Sequence, residues 1–205
     1  MRDRWLGRPE PAPGEGVVYW HILMRDYRKV VNTAATMQQV LARFPGLHMT
    51  PCEWLHVTTM NVGPSVEISR NDMSLMVEAA QRGLANTAPI PTILEKVIYH
   101  PEAIMLRVQP ADALRPILEA TKNATRLVIG REGVIGEPPS NTWTPHATVA
   151  YSTSNQVAGP IISALGKSVI GCEAQIDSVS LVIQWGPEPD WNWEPVGTAR
   201  LLGNP

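Results

Sequence analysis

The sequence predicts an α+β protein, and three observations lead to that fold class. Short runs rich in β-branched and aromatic residues, typical of buried strands, alternate with longer stretches whose apolar residues recur at helical spacing. Clusters of Gly, Pro and Asn separate these runs and indicate turns. The resulting order is β-α-β-α-β-β-α-β-α-β-β, with helix-separated strands in each half of the chain.

The first strand and helix follow a segment without regular pattern. Residues 1–16 contain three Pro, three Gly and several charges, so we predict a flexible leader. The run 17–24, VVYWHILM, is short and apolar, as expected of a buried strand. Over 27–44 the apolar residues form one helical stripe, which ends at Pro45-Gly46.

A second unit of the same kind comes next. Residues 53–60 predict a strand, 61–64 a turn, and 69–84 a helix. Ser69 or Asn71 has the side chain needed to cap that helix.

The middle of the chain predicts a β-hairpin and a helix. The runs 90–99 and 103–109 are strand-like, with a turn at His100-Pro101-Glu102, and a helix is expected from about 111 to 129.

The second half begins with a loop at 130–143, which is dense in Gly and Pro and is expected to be mobile. A strand at 145–151 and a helix over 155–165 follow. Two strands, at about 173–185 and 193–202, are predicted to close the chain.

Composition excludes several classes of function. The net charge of −2 gives no basic field to hold long nucleic acid, whereas a small nucleotide or an RNA end fits that charge. Cys52 and Cys172 have no metal-ligand spacing, so neither a metal, a cofactor nor a disulfide is expected. No apolar run reaches 18 residues, so we predict a cytoplasmic protein without a membrane partner; the oligomeric state stays open.

The pattern His-x-Thr occurs three times, at 48–50, 56–58 and 146–148. In a strand, side chains alternate between faces, so the His and Thr point the same way about 6.6–6.8 Å apart and can contact one phosphate. The chemistry therefore needs a strand. Residues 48–50 stand between Pro45-Gly46 and Pro51 and predict a loop, whereas the other two copies lie in strand-forming sequence before a turn and a helix.

The two strand copies lie in the segments LHVTTM and PHATVAY, and their histidines are 90 residues apart. In these segments and this spacing the sequence resembles the 2H phosphoesterases, the 2′-5′ RNA ligase-like superfamily. The resemblance covers about residues 17–202. It implies a single bilobal domain, here 17–205, in which two pseudo-symmetric lobes of antiparallel sheet with flanking helices surround a central cleft, without metal.

The resemblance implies that His56 and His146 are catalytic and that Thr58 and Thr148 bind the substrate phosphate. Facing imidazoles suit hydrolysis of a 2′,3′-cyclic phosphate, because one takes a proton from water while the other protonates the leaving ribose oxygen. By resemblance the second-motif His is the general base, although the sequence does not assign the two roles.

Four further side chains near these strands are candidates to line the cleft or to stack a base: Trp20, Trp54, Met60 and Tyr151. By alternation Trp54 and Met60 share the face of His56, whereas Tyr151 lies opposite His146 unless a bulge intervenes. Two alternatives to hydrolysis stay open. One is a non-catalytic module that binds RNA ends or cyclic nucleotides, and the other is 2′-5′ RNA ligase activity.

Overall fold

The computed structural model describes residues 1–131, 133 and 143–204. The predicted mobile loop at 130–143 therefore lies largely outside the described residues. The described helices are α1 (Arg28–Leu41), α2 (Arg70–Leu84), α3 (Arg115–Ile129) and α4 (Gly159–Leu165). The described strands are β1 (Gly16–Leu23), β2 (Leu47–Met49), β3 (His56–Pro64), β4 (Ile90–His100), β5 (Ala103–Gln109), β6 (His146–Ser152), β7 (Ser168–Ile176), β8 (Ser178–Trp185) and β9 (Trp193–Arg200).

These elements confirm the predicted α+β class. The described strands form one antiparallel sheet in the order β7-β4-β5-β6-β3-β1-β8-β9, with β2 added beside β6. One group of five strands (β7, β4, β5, β6 and β2) and one group of four (β3, β1, β8 and β9) meet where β6 pairs with β3 through Val57 and Ala147. The division into two lobes around a cleft stays a prediction.

The two faces of the sheet have different roles, as β1 illustrates. Val18, Trp20 and Ile22 are fully buried in the main core, to which α1 and α2 contribute their apolar stripes. Tyr19 and His21 alternate with them and lie on the other face, beside a second, aromatic cluster. The helices therefore cover one face and leave the other for a site.

Two helix ends follow local rules. Ser69, one of the two predicted caps of α2, accepts a hydrogen bond from the backbone N–H of Asp72 at 3.0 Å. Gly130 ends α3 with a φ of 76°, a left-handed conformation that favours glycine. None of the helices in the described ranges is both long and apolar enough to cross a membrane.

One strand prediction and one turn prediction were wrong. The segment 173–185 contains parts of two strands, β7 and β8, separated by Asp177. The hydroxyl of Tyr27, the residue before α1, donates to the carboxylate of Asp177 and accepts from its backbone N–H, which holds the chain at the break. As a result β7 pairs with β4 and β8 with β1, in different halves of the sheet. The predicted turn at 61–64 instead continues β3, which pairs with β1 as far as Pro64.

The copy of His-x-Thr at 48–50 was predicted to be a loop, but its first two residues belong to β2. Leu47, His48 and Met49 pair with the end of β6. Pro51 does not prevent this pairing, because the strand is short and ends before it.

Residues 1–8, here called the N-terminal strap, pack against the body of the protein. The backbone N–H groups of Arg2 and Arg4 donate to the carbonyls of Pro101 and Ser152 at 2.7 and 2.8 Å. The strap belongs to residues 1–16, for which composition predicts a flexible leader, and that flexibility stays a prediction. The contacts of the strap are non-local, because it has no helix or strand of its own and its hydrogen bonds go to the ends of other elements.

Candidate active site

Two of the three His-x-Thr motifs meet at the centre of the sheet. Val57 of β3 pairs with Ala147 of β6, so antiparallel register sets His56 beside Thr148 and Thr58 beside His146. These four side chains share one face and line a cavity of about 340 Å³. The structure thus brings together the four residues that the sequence singled out.

The two histidines are held in the same way. The Nδ1 atoms of His56 and His146 each lie 2.7 Å from the carbonyl oxygen two residues earlier, that of Trp54 and that of Thr144. A carbonyl only accepts, so each Nδ1 carries a proton and donates it. In the neutral ring, Nε2 is then an unprotonated nitrogen available to the cavity.

Burial lowers the pKa of both imidazoles but affects them unequally. For His56, burial lowers the pKa to about 4; the Trp54 carbonyl and Glu188 oppose the shift, and His146 adds to it. For His146, burial also lowers the pKa, the Thr144 carbonyl opposes this, and the nearby His100 adds to it. Both rings therefore favour the neutral form, most strongly His56.

A stack of rings explains the burial of His56. Its ring centroid lies 4.3 Å from that of His21 and 4.5 Å from that of Trp193. His21 is itself 2% exposed and is stacked between Tyr19 and Trp193. Burial, and then the neighbouring His56, hold the pKa of His21 well below its ordinary value. We call the packed rings of Tyr19, His21, His56, Trp191 and Trp193 the aromatic wall, in which His56 is partly buried beside the cavity.

Bulges decide two of the cleft predictions. In β3, Thr59 is an extra residue opposite β1, so Met60 turns into the main core and Asn61 lines the cavity. The prediction for Met60 was therefore wrong. In β6, Val149 is the extra residue, and this bulge puts Tyr151 on the cavity side with His146. Burial raises the pKa of Tyr151 to about 12, so its hydroxyl remains protonated.

The two tryptophan predictions also depend on which face each ring occupies. Trp20 was predicted for the cleft but is fully buried in the core, where its Nε1 donates to Thr125 at 3.1 Å. Trp54 lies behind the wall, 5.4 Å from Trp193, and contributes its carbonyl to His56. Neither is among the described residues that line the cavity.

The remaining histidines surround the site. His100 lines the cavity, and its Nδ1 accepts from the backbone N–H of Glu102, so its neutral ring carries the proton on Nε2. His48 lies behind Trp191 and accepts from that indole at 3.0 Å. His48 therefore supports the wall, whereas His100 offers the cavity a donor.

Sequence reasoning missed several residues of the wall and rim. Trp191 and Trp193 come from the end of the chain, and Arg4, Arg8 and Glu188 from segments predicted to be leader and connection. The local sequence around Arg4 and Arg8 gives no sign of the cavity, whereas the three Trp within residues 185–193 were an available signal for the wall. Among the described residues, no group of three His, Cys, Asp or Glu side chains is placed to hold a metal ion.

Comparisons with known proteins address the fold and the family. A family model for the 2′-5′ RNA ligase superfamily matches residues 29–187. A search of curated proteins found no match.

Solved structures give the same fold at low identity. TT0787 of Thermus thermophilus has a TM-score of 0.71 and 17% identity over 92% of this chain and 99% of its own. E. coli LigT complexed with 3′-AMP has a TM-score of 0.62 and 11% identity over 91% and 98%. The MHV ns2 PDE domain has a TM-score of 0.59 and 12% identity over 82% and 98%.

Proposed function

The chain belongs to the 2′-5′ RNA ligase superfamily, and from that premise we propose that it hydrolyses a 2′,3′-cyclic phosphate, or a related small cyclic phosphodiester, to a monoester. The substrate class is a nucleotide or an RNA end. Complexes of E. coli LigT with 3′-AMP and with ATP support a nucleotide-sized ligand, and the size of the cavity is compatible with one.

The observation that carries the proposal is the equivalent arrangement of His56 and His146. Each has Nδ1 bound to a carbonyl, each offers Nε2 to the same cavity, and each stands beside the threonine of the other motif. One ring can accept a proton on one side of a phosphorus atom while the other donates on the opposite side.

The mechanism requires one neutral and one protonated ring. We assign His56 as the base, since its pKa of about 4 keeps Nε2 free, and His146 as the acid, since it is held less strongly in the neutral form. An anionic phosphate in the cavity favours protonation of the more accessible ring. This assignment is the reverse of the one implied by family resemblance.

In the reaction, water gives a proton to Nε2 of His56 and its oxygen bonds to phosphorus. The bond from phosphorus to one ribose oxygen breaks, and that oxygen takes the proton from Nε2 of His146. The hydroxyls of Thr58 and Thr148 donate to the non-bridging oxygens as negative charge builds there. Each positioned proton transfer contributes about 10²–10⁴-fold to the rate.

The test compares two kinds of substrate with His56→Ala and His146→Ala. Nucleoside 2′,3′-cyclic phosphates need an acid for their poor leaving group, so both variants are expected to lose about 10²-fold or more. A 4-nitrophenyl phosphodiester leaves without protonation, so His146→Ala is expected to keep much of its activity there, whereas His56→Ala is not. The opposite pattern would reverse the two roles.

The same assay separates the alternatives to hydrolysis. Saturable binding of cyclic nucleotides without turnover by the wild type would identify a binding module. Joining of a cyclic-phosphate RNA end to a 5′-hydroxyl end would identify a ligase. We expect turnover to survive EDTA, and its loss would contradict the metal-independent mechanism. Melting temperatures of both variants check that the fold is intact.

A further inference from the structure

The N-terminal strap forms part of the candidate active site. Arg4 and Arg8 line the cavity that holds His56 and His146, and they also line two adjoining cavities of about 180 and 300 Å³. The space around the histidines therefore continues beneath and beside the strap. A substrate larger than a cyclic phosphate group has room to extend in that direction.

Hydrogen bonds hold the strap in a defined position. Arg4 forms a two-pronged ion pair with Glu188, with Nε and Nη2 each 3.0 Å from a carboxylate oxygen, and its guanidinium lies 5.4 Å from the ring centre of Tyr151. The indole of Trp5 also donates to Glu188. The backbone N–H of Arg8 donates to the carbonyl of Trp5 at 3.1 Å, and this hydrogen bond fixes the backbone that carries the Arg8 side chain.

Three arginines, Arg2, Arg4 and Arg8, share the carboxylates of Glu102 and Glu188, so this ion-paired group carries one positive charge in excess. Among the described residues, the charged side chains that line the candidate active site, apart from histidines, are Arg4, Arg8 and Glu188, and Arg4 and Glu188 neutralise each other. Arg8 contacts Glu102 at 2.5 Å, but that carboxylate also binds Arg2 and Arg4.

Some N–H donors of Arg8 have no partner among the residues that the structure describes, and they indicate the chemistry of its ligand. Glu102 is 6% exposed and is shared by three guanidinium groups, so it cannot satisfy all of their N–H donors. The Arg8 side chain is 45% exposed and keeps its other donors for a ligand in the cavity. A guanidinium with free, planar donors suits a phosphate, to which it binds through two parallel hydrogen bonds.

We propose that the strap provides a second phosphate subsite, in which Arg8 binds a phosphate on the 5′ oxygen of the nucleoside whose 2′,3′-cyclic phosphate is cleaved. In an RNA end, that 5′ oxygen carries the next phosphate along the chain. The substrate class is then a nucleotide with two phosphates, either a short RNA end or a nucleoside 5′-phosphate 2′,3′-cyclic phosphate. This inference rests on the proposed function, because it extends the same substrate.

The test measures kcat/KM for three substrates: adenosine 2′,3′-cyclic phosphate, its 5′-phosphorylated form, and the dinucleotide ApA with a 2′,3′-cyclic phosphate. We expect the wild type to prefer both doubly phosphorylated substrates by about tenfold, the order of one charge-assisted hydrogen bond. Arg8→Gln is expected to lose this preference, and Arg8→Lys to keep part of it. A preference for the 5′-phosphorylated form alone would identify a terminal phosphate, not an internucleotide linkage.

Arg2→Gln is the matched control. Arg2 binds the same Glu102 and lines the adjoining cavity of about 300 Å³, but it is not among the described residues that line the cavity of His56 and His146, where the subsite is placed. We expect this variant to keep the substrate preference. If Arg2→Gln and Arg8→Gln lose it equally, Arg8 acts only through the packing of the strap, and the subsite is refuted.

Binding separates this inference from the proposed function. Without turnover of any substrate the proposed function fails, and the dissociation constants of adenosine 2′-monophosphate and adenosine 2′,5′-bisphosphate then decide the subsite. Tighter binding of the bisphosphate, by about tenfold and dependent on Arg8, would support it. Equal turnover of all three cyclic substrates, or equal binding of adenosine 2′-monophosphate and adenosine 2′,5′-bisphosphate, would overturn the second subsite whatever the reaction.

Discussion

The aromatic wall around His56 has a direct consequence for the pH dependence of catalysis. The ring of Trp193 is 7% exposed and lies 4.5 Å from that of His56, and burial is the main reason that the pKa of His56 falls from 6.5 to about 4. Replacing Trp193 with Ala admits water to this ring. We therefore expect the pKa of His56 to rise toward 6.5 in this variant.

The size of the effect follows from the two pKa values. At pH 5, an imidazole with a pKa of about 4 is roughly nine-tenths neutral, whereas one at 6.5 is about 3% neutral. If His56 is the base, the relative rate of Trp193→Ala at pH 5 falls by up to about thirtyfold, because that fraction carries the reaction. The optimum of the wild type should lie below 6.5, because the pKa of His146 is lowered as well.

The assay is the pH profile of kcat/KM, which reports the titrating groups of the free enzyme, measured from pH 3.5 to 9 at constant ionic strength. In the wild type, kcat/KM is expected to fall on the acid side with a midpoint near pH 4. In Trp193→Ala, the midpoint of this fall is expected at higher pH. Trp185→Ala, a tryptophan outside the described lining of the cavity, serves as the control. A wild-type limb near 6.5, or a limb that Trp193→Ala does not move, would refute the reasoning.

Three further predictions concern stability and support of the site. Because the unfolded chain binds a proton at His56 more readily than the folded one, stability is lost as the pH falls from 6.5 toward 4. His21 and His146, whose pKa values are also lowered, add to this loss, so urea unfolding between pH 7 and 5 should show a loss that is smaller in His56→Gln by about 2 kcal/mol; equal losses in the two proteins would contradict this. Trp20→Phe should lower the free energy of unfolding by about 1–3 kcal/mol, because it leaves a gap in the core and removes the donor to Thr125. It should leave KM unchanged, and a raised KM would indicate that Trp20 contacts the substrate. His48→Ala should destabilise the protein by about 1–3 kcal/mol by leaving the Trp191 indole N–H without its acceptor, whereas His48→Gln can restore it; equal melting temperatures of the two variants would exclude this role.

Local sequence patterns were sufficient for most of the elements. The apolar stripe after Tyr27 predicted α1, and the capping residue Ser69 predicted the start of α2. Both are helices, whose backbone hydrogen bonds form within the segment itself. The strand-forming neighbours of His56 and His146 likewise predicted the two strands that meet at the centre of the sheet. These predictions succeeded because the pattern of apolar residues within each segment determines which face is buried.

The failures have non-local causes. Alternation placed Met60 in the cleft, but a bulge at Thr59 turns it into the core; Tyr151, a candidate for the cleft, reaches the cavity only through the bulge at Val149, and a bulge depends on the register of the neighbouring strand. The break at Asp177 depends on Tyr27, 150 residues away in the chain. No pattern within these segments contains that information.

The sequence by itself determined the α+β class, the order of most elements and the pairing of His56 with His146 across 90 residues of chain. Only the tertiary structure decided what surrounds those histidines: the aromatic wall that lowers the pKa of His56 and the strap that brings Arg8 to the cavity. The reason is physical. Strand periodicity is a property of neighbouring residues, whereas desolvation and ion pairing depend on which distant segments pack together.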